Sequence, residues 1–89
     1  MKDNENHVEV EIITTSGSYP SEGSEGVPMH QKIRIILKKA ADYLKITSTE
    51  NWIAKVQGRE INTELSFEEN NLKGSIIIDF GPREGGGGK

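Results

Sequence analysis

Apolar and polar residues alternate near the beginning of the chain and again near its end. His7–Thr14 follows a two-residue period whose apolar side consists of Val8, Val10 and Ile12. This period is typical of a half-buried β-strand. Ser75–Phe80 has the same period with Ile76, Ile78 and Phe80, and Ile77 leaves its other side partly apolar. We therefore expect this second segment to be a central strand that a helix covers on one side.

The pattern changes to a helical one over residues 29–46. At about 100° per residue, one stripe is apolar and contains Met29, Ile33, Ile36, Leu37, Ala40, Ala41 and Leu44. Pro28 suits the first helical position, where its missing N–H costs nothing. The opposite side carries Arg34, Lys38, Asp42 and Lys45, flanked by Lys32 and Lys39. A charged side usually faces solvent, and Ile35, which points out among these charges, is a candidate docking residue.

The segment between the first strand and the helix has a weaker pattern. Thr15–Pro28 contains only two apolar anchors, Tyr19 and Val27. It is either a long loop or a loop that includes a weak strand around Ser18–Glu22. Because Pro20 cannot donate a hydrogen bond to a neighbouring strand, such a strand would lie at an edge of the sheet.

The chain after the helix predicts a hairpin and then a polar segment. Trp52–Gln57 is expected to be a strand, Gly58–Arg59 a turn, and Glu60–Asn62 a short strand that pairs back. The polar segment that follows is held to the domain by Leu65, Phe67 and Leu72. A single helical turn is one conformation that fits it.

The order of these elements predicts the fold class. A single amphipathic helix can bury its apolar stripe only against one face of a sheet. The first and last strands are the most apolar, so we place them side by side at the centre. The prediction is an α+β fold of the ubiquitin-like β-grasp arrangement, a mixed four- to five-stranded sheet crossed by one helix. Residues 7–80 form this domain, residues 1–6 a disordered N-terminus, and residues 81–89 a flexible glycine-rich C-terminal tail.

Size and charge restrict the partners. At 89 residues the chain has room for one core. A net charge of −3 argues against a general binder of nucleic acid or of anionic membranes. No stretch approaches the roughly 18 apolar residues that span a bilayer, and Met1–Asn6 lacks the apolar segment of a secretion signal. We therefore expect a cytoplasmic protein, and we expect it to be a monomer.

The chain offers little catalytic chemistry. It has no cysteine, which excludes disulfides, thiolate metal sites and thiol nucleophiles. Its two histidines, His7 and His30, have no paired carboxylate beside them in the sequence, so no metal site is expected. The serines of residues 15–24 lack a nearby base, and Gly85–Gly88 is not followed by the residues of a phosphate loop. We expect a substrate of enzymes that binds no cofactor, not an enzyme.

The last nine residues, Gly81–Lys89, have few side chains and follow directly on an apolar strand. A strand that leads into a run of glycines is suited to delivering a main-chain carboxylate into a narrow active site. The alternative is that Gly85–Lys89 is only a frayed end or a linker remnant, since chain termini are usually poorly ordered.

Several features together resemble the ubiquitin-like superfamily. They are the strand His7–Thr14, the helix up to Leu44, the triplets Glu50-Asn51-Trp52, Gln57-Gly58-Arg59 and Leu72-Lys73-Gly74, and the glycine tail. In this order and spacing they are most similar to the bacterial ubiquitin-like proteins, which occur as single or tandem β-grasp domains beside genes for activating enzymes, conjugating enzymes and peptidases.

The resemblance implies a protein modifier. In such families an activating enzyme uses ATP and Mg²⁺ to adenylate the terminal glycine carboxylate, and the acyl group passes to a cysteine and then to a lysine of a target protein. Here the reactive carboxylate would belong to Gly88, with Gly87 behind it. Because Lys89 follows the glycines, a processing peptidase would first have to cut the chain, after Gly86, Gly87 or Gly88. The ATP and Mg²⁺ belong to the activating enzyme.

Two other functions fit the same fold. A sulfur-carrier protein would convert the tail into a thiocarboxylate, although such carriers normally end at the glycine pair itself. A non-conjugated interaction module would bind a partner through the helix surface with Ile35, Lys38 and Lys39, or through the sheet face that carries Lys55 and Ile77.

The approach segment Pro82-Arg83-Glu84 has a single basic residue, whereas that of ubiquitin is richer in arginine.

Overall fold

The computed structural model describes residues 6–83. Within that range the chain forms one helix and six strands: β1 (His7–Thr14), β2 (Gly17–Tyr19), β3 (Glu25–Pro28), α1 (Ile33–Leu44), β4 (Trp52–Val56), β5 (Arg59–Glu60) and β6 (Ser75–Pro82). Asn6, which the sequence assigned to the disordered N-terminus, accepts a hydrogen bond from the Met29 N–H at 2.9 Å. The folded domain therefore begins at least one residue earlier than predicted.

The sheet has the predicted centre. The strands lie in the order β2-β1-β6-β4-β5, and β3 also pairs with β1. β1 and β6 run parallel, with Val10 opposite Ile76 and Ile12 opposite Ile78. β4 is antiparallel to β6, so the sheet is mixed. The prediction that the first and last strands are neighbours at the centre is confirmed.

The weak segment before the helix forms two short strands, where the sequence predicted a loop or one strand. Both lie on the same edge of β1: β2 is opposite its last residues and β3 opposite its first. Pro20, which has no N–H to donate, falls in the break between them. Val27 is 2% exposed and anchors β3 to the core. The predicted edge position is correct, but the sheet has six strands in five positions, not four to five.

α1 begins at Ile33, four residues later than predicted. Pro28 is the last residue of β3, opposite His7, and is not the first residue of the helix. The helix has no side-chain cap at Lys32. Instead, the N–H groups of Ile33 and Arg34 donate to main-chain carbonyls of residues 65 and 63, each at 3.0 Å. These bonds satisfy donors that a helix start leaves unpaired, and they fix where the helix begins.

The predicted apolar stripe is confirmed from Ile33 onward, whereas Met29, which the pattern included, precedes the helix. Its buried members are Ile33, Ile36, Leu37, Ala40 and Ala41. They pack on the inner face of the sheet, whose buried side chains include Val8, Val10, Ile12, Ala54, Ile76, Ile78 and Phe80. The helix ends at Leu44. Its C-cap residue, Lys45, has a left-handed φ of 61°, and the Ile46 N–H donates back to the Ala41 carbonyl at 2.8 Å.

The hairpin turn between β4 and β5 lies at Gln57–Gly58, one residue earlier than predicted. Both residues have positive φ, 54° and 81°, as a two-residue type I′ turn requires. β5 is correspondingly Arg59–Glu60 rather than residues 60–62.

A series of turns between β5 and β6 carries Phe67 into the core, where it is fully buried. A reciprocal pair of hydrogen bonds shapes this segment. The Ser66 N–H donates to the Glu69 carboxylate at 2.9 Å, and the Glu69 N–H donates to the Ser66 hydroxyl at 3.0 Å. This is the arrangement of a helix capping box, here used to fold an isolated turn.

Candidate functional site

β6 continues to Pro82, two residues beyond the predicted end of the domain. Gly81 lies opposite Ile53, and Pro82 lies opposite Trp52 on β4. The sequence predicts both residues to be part of the flexible glycine-rich tail, residues 81–89. Pairing with β4 makes them part of the sheet, so the folded domain extends at least to Pro82.

Arg83 is fixed to the sheet at two points. Its N–H donates to the Asn51 carbonyl at 2.9 Å, and its guanidinium Nη2 lies 3.1 Å from a carboxylate oxygen of Glu60. Both side chains are exposed, at 61% and 48%, so this ion pair contributes little to stability. Its consequence is geometric, because the direction in which the chain leaves the sheet is set by Asn51 and Glu60.

The predicted reactive residues, Gly87, Gly88 and Lys89, lie outside the described residues, as does the alternative cut after Gly86. The described chain ends at Arg83, five residues before Gly88. A fully extended chain spans about 3.3–3.6 Å per residue, so Gly88 can lie at most about 18 Å from this point. Any group that acts on Gly88 must therefore work close to the end of β6.

The outer face of the sheet, which is the side that α1 does not cover, carries Lys55 and Ile77 as predicted. Ile77 is 53% exposed, and Lys55 is half-buried opposite Asp79. Two further isoleucines point the same way: Ile13, which is 39% exposed, and Ile53. Neither is among the predicted surface residues, although the sequence contains a signal for both. In each of the three long strands, β1, β4 and β6, one isoleucine occupies a position that alternation assigns to the solvent side.

A shallow pocket of about 300 Å³ lies on this face at Gly81. We call it the Gly81 pocket; it is lined by Ile13, Thr14, Thr15, Ile53, Lys55, Asp79, Phe80, Gly81 and Pro82. It forms where β1 separates from β6, since the pairing between them ends with Ile13 opposite Asp79. Sequence reasoning gave no indication of it.

The helix surface is a second and separate surface. Ile35 is 48% exposed, but the two predicted lysines beside it are engaged in ion pairs. Lys38 lies 3.3 Å from Asp42, and Lys39 lies 2.6 Å from Glu25. The structure therefore places Ile35, Lys38 and Lys39 on one side of the molecule and Lys55 and Ile77 on the other.

Glu25 is the centre of a small polar network between β3 and α1. Its carboxylate accepts hydrogen bonds from the Lys39 ammonium at 2.6 Å and from the Tyr19 hydroxyl at 2.5 Å. These two bonds lower the pKa of Glu25. The bond to Glu25 in turn raises the pKa of Tyr19 and of Lys39. The Tyr19 ring also contacts that of Tyr43, with centroids 5.1 Å apart.

We expect Glu25→Gln to lower the free energy of unfolding by about 1 kcal/mol near neutral pH, a value reduced by the exposure of Lys39. A lowered folded-state pKa stabilises the protein above the unfolded pKa, about 4.3 for glutamate, and this contribution disappears as the pH falls through the folded value. Urea unfolding at about pH 7 and about pH 3 should show the difference between wild type and variant closing in acid. Glu22→Gln, at an exposed glutamate of the same segment, should show no such difference. If the difference in free energy of unfolding between wild type and Glu25→Gln stays the same at about pH 3, the pKa of Glu25 is not lowered in the folded protein.

The two histidines are not brought together. His30 lies 2.7 Å from a carboxylate oxygen of Glu68, while His7 is exposed at the start of β1. Within residues 6–83 no group of three histidine or carboxylate side chains is placed to hold a metal ion. The single helix of the same range is too short and too polar to cross a membrane.

Comparison with known proteins supports the fold. No family model matches the chain, and a search of curated proteins gave no match. Among solved structures it is similar to a designed protein based on ubiquitin, with a TM-score of 0.68 and 21% identity over 94% of this chain and 98% of that one. It is also similar to Caldiarchaeum subterraneum ubiquitin, with a TM-score of 0.60 and 12% identity over 91% and 99% of the two chains.

A third similar structure is the N-terminal ubiquitin-like domain of the 4931431F19Rik protein, with a TM-score of 0.64 and 10% identity over 98% of this chain and 86% of that one. At such identities the likeness shows the fold alone. The chain has a ubiquitin-like β-grasp fold, as its pattern of strands and helix predicted.

Proposed function

We propose that this chain is a ubiquitin-like protein modifier of the bacterial type. Its C-terminal glycine is exposed by removal of Lys89, adenylated, and joined to lysine amines of target proteins. The observation that carries the proposal is a strand that stays paired up to Pro82 and is followed, after two residues, by four consecutive glycines. Glycine lacks a Cβ, so this segment can extend through a channel too narrow for other residues.

The proposed chemistry has four steps, all of them performed by partners. A peptidase hydrolyses the Gly88–Lys89 bond and leaves the Gly88 carboxylate. The activating enzyme joins this carboxylate to the AMP moiety of ATP and releases pyrophosphate. An enzyme cysteine then displaces AMP, and finally a target lysine amine displaces the cysteine to form an isopeptide bond. The modifier supplies the acyl group and the surface that the enzymes recognise, in the cytoplasm where ATP is available.

Deleting Gly87 and Gly88 is expected to abolish adduct formation. The test incubates the protein with the peptidase, activating enzyme and conjugating enzyme of the same organism plus ATP. It then looks for a thiol-sensitive adduct by gel electrophoresis and for loss of Lys89 by mass spectrometry. Because the deletion lies beyond the sheet, thermal unfolding should be unchanged.

A variant that lacks only Lys89 is the matched control, since it should form the adduct without the peptidase. The same adduct in wild type and in the Gly87–Gly88 deletion would refute the assignment. A gain of sulfur at the tail, in place of an adduct, would identify a sulfur carrier.

The outward isoleucines favour a second candidate, a β-grasp module that binds a partner without being conjugated. Ile13, Ile53 and Ile77 lie on the three long strands of the outer face. An interaction module would use this face and leave the tail intact. Mass spectrometry of the protein from cells that express its neighbouring genes discriminates the two, because only the modifier loses Lys89.

A further inference from the structure

The glycine at position 81 is not explained by the fold. Glycine in a strand usually marks a left-handed backbone or a close approach by another group. Neither applies here, because Gly81 is not among the residues with positive φ. A Cβ built on it would meet no atom within 4 Å. The main effect of the missing side chain is therefore the space that it leaves, which is the Gly81 pocket.

The pocket has apolar walls and a polar rim. Ile13 on β1 and Ile53 on β4 stand on its two sides, and Pro82 closes one end. Lys55 and Asp79, which lie opposite each other on neighbouring strands, form the rim. At about 300 Å³ it lies at the lower limit of ligand pockets. A shallow depression of this size suits one large side chain of a protein partner better than a cofactor.

The pocket lies within reach of any enzyme that binds the tail. Gly88 is seven residues from Gly81, at most about 25 Å in a fully extended chain. A standard interface covers about 800 Å² on each partner, far more than the main chain of four glycines can supply. An enzyme that encloses Gly85–Gly88 must therefore also contact the folded surface next to the tail.

Specificity requires the same surface. Four glycines offer an enzyme no side chain to distinguish this protein from another chain with a glycine-rich end. Discrimination must come from contacts that other chains lack, and buried apolar anchors in pockets dominate such contacts. The Gly81 pocket lies beside the last paired residues of β6, Gly81 and Pro82, just before the chain leaves the sheet.

We infer that the Gly81 pocket receives one aliphatic or aromatic side chain of the activating enzyme and thereby docks the domain while the tail reacts. This inference rests on the proposed function. The activating enzyme holds the tail through two successive steps, adenylation and transfer to cysteine. A side chain anchored in the rigid sheet keeps the modifier bound to the enzyme after adenylation, until the acyl group has been transferred to the cysteine.

The test fills the pocket without disturbing the fold. Gly81→Val places a β-branched side chain in a strand position with free space, which strands favour, so the melting temperature should equal or exceed that of wild type. With chains that end at Gly88, we expect kcat/KM for thioester formation on the activating enzyme to fall at least about tenfold. Gly81→Ala should give a smaller loss.

Ser75→Val is the matched control, because Ser75 is an exposed residue on the outer face at the other end of the same strand. It should be activated at the wild-type rate. If wild type is activated and Gly81→Val is activated equally fast, the pocket assignment is wrong and the proposed function stands. If Gly81→Val slows only the removal of Lys89 from the full chain, the occupant belongs to the peptidase and the assignment is overturned. If wild type is not activated at all, the proposed function fails and this inference with it.

Discussion

Replacing Phe67 with alanine is expected to lower the free energy of unfolding by about 3–5 kcal/mol. Phe67 is fully buried and is among the largest side chains of the core. It lies in the turns between β5 and β6, not in a helix or strand. Removal of its ring leaves a cavity that the surrounding sheet and helix can close only in part, so the cost includes lost contacts as well as lost burial.

A second effect adds to this cost. Phe67 holds the segment whose carbonyls, at residues 63 and 65, accept hydrogen bonds from the first N–H groups of α1. With the ring removed, this segment loses its main attachment to the core. The start of the helix then loses its partners, because Lys32 provides no side-chain cap. We expect hydrogen exchange at the Ile33 and Arg34 amides to accelerate more than at Ala40.

The measurement is urea unfolding followed by circular dichroism. Leu65→Ala is the control within the same segment, because Leu65 is 36% exposed. It should cost less than about 1.5 kcal/mol, a fraction of the transfer free energy of a fully buried leucine. A Phe67→Ala variant within about 1 kcal/mol of wild type would mean that the ring is not part of the core.

The fold was predictable where the period of the sequence alone decides which side chains are buried. In β1 and β6, Val10 and Ile78 are assigned to the core by alternation, and the position of the two strands side by side at the centre follows because both are strongly apolar. The helix stripe was equally clear. These elements need no information about their neighbours beyond the need to bury one side.

The prediction failed where distant hydrogen bonds decide the structure. Pro28 has the chemistry of a helix start, but it lies in β3 because Val27 is buried and the edge of β1 is free to pair. The helix then begins where carbonyls of residues 63 and 65 meet its N–H groups. Nothing in residues 28–33 indicates these contacts.

The candidate site was likewise predictable only in part. That Ile13, Ile53 and Ile77 point outward follows from alternation and could be read from the sequence. The Gly81 pocket could not be, because it depends on the place where β1 leaves β6. The contact of Arg83 with Glu60 joins residues that are 23 positions apart, and it requires β4 to lie between their two strands.

Replacing Gly17 with alanine is expected to cost about 1–3 kcal/mol of stability, because a non-glycine residue there must adopt a strained backbone. Gly17, the first residue of β2, has a φ of 130° directly after the turn from β1. Its added Cβ would also lie 3.3 Å from Leu44 Cδ2. That contact is the end of a leucine side chain, which can move by a few tenths of an ångström, so the backbone accounts for most of the cost.

Gly81→Ala is the matched control, since the same substitution there meets neither strain nor a close contact. It should stabilise the protein by about 0.4–1 kcal/mol, because alanine reduces the entropy of the unfolded chain. That unfolded-state effect is similar at both positions, so the difference in the free energy of unfolding between the two variants isolates the native backbone at Gly17. Equal free energies for the two variants would show that residue 17 does not need a positive φ, and the β1–β2 turn would then have to be a different one.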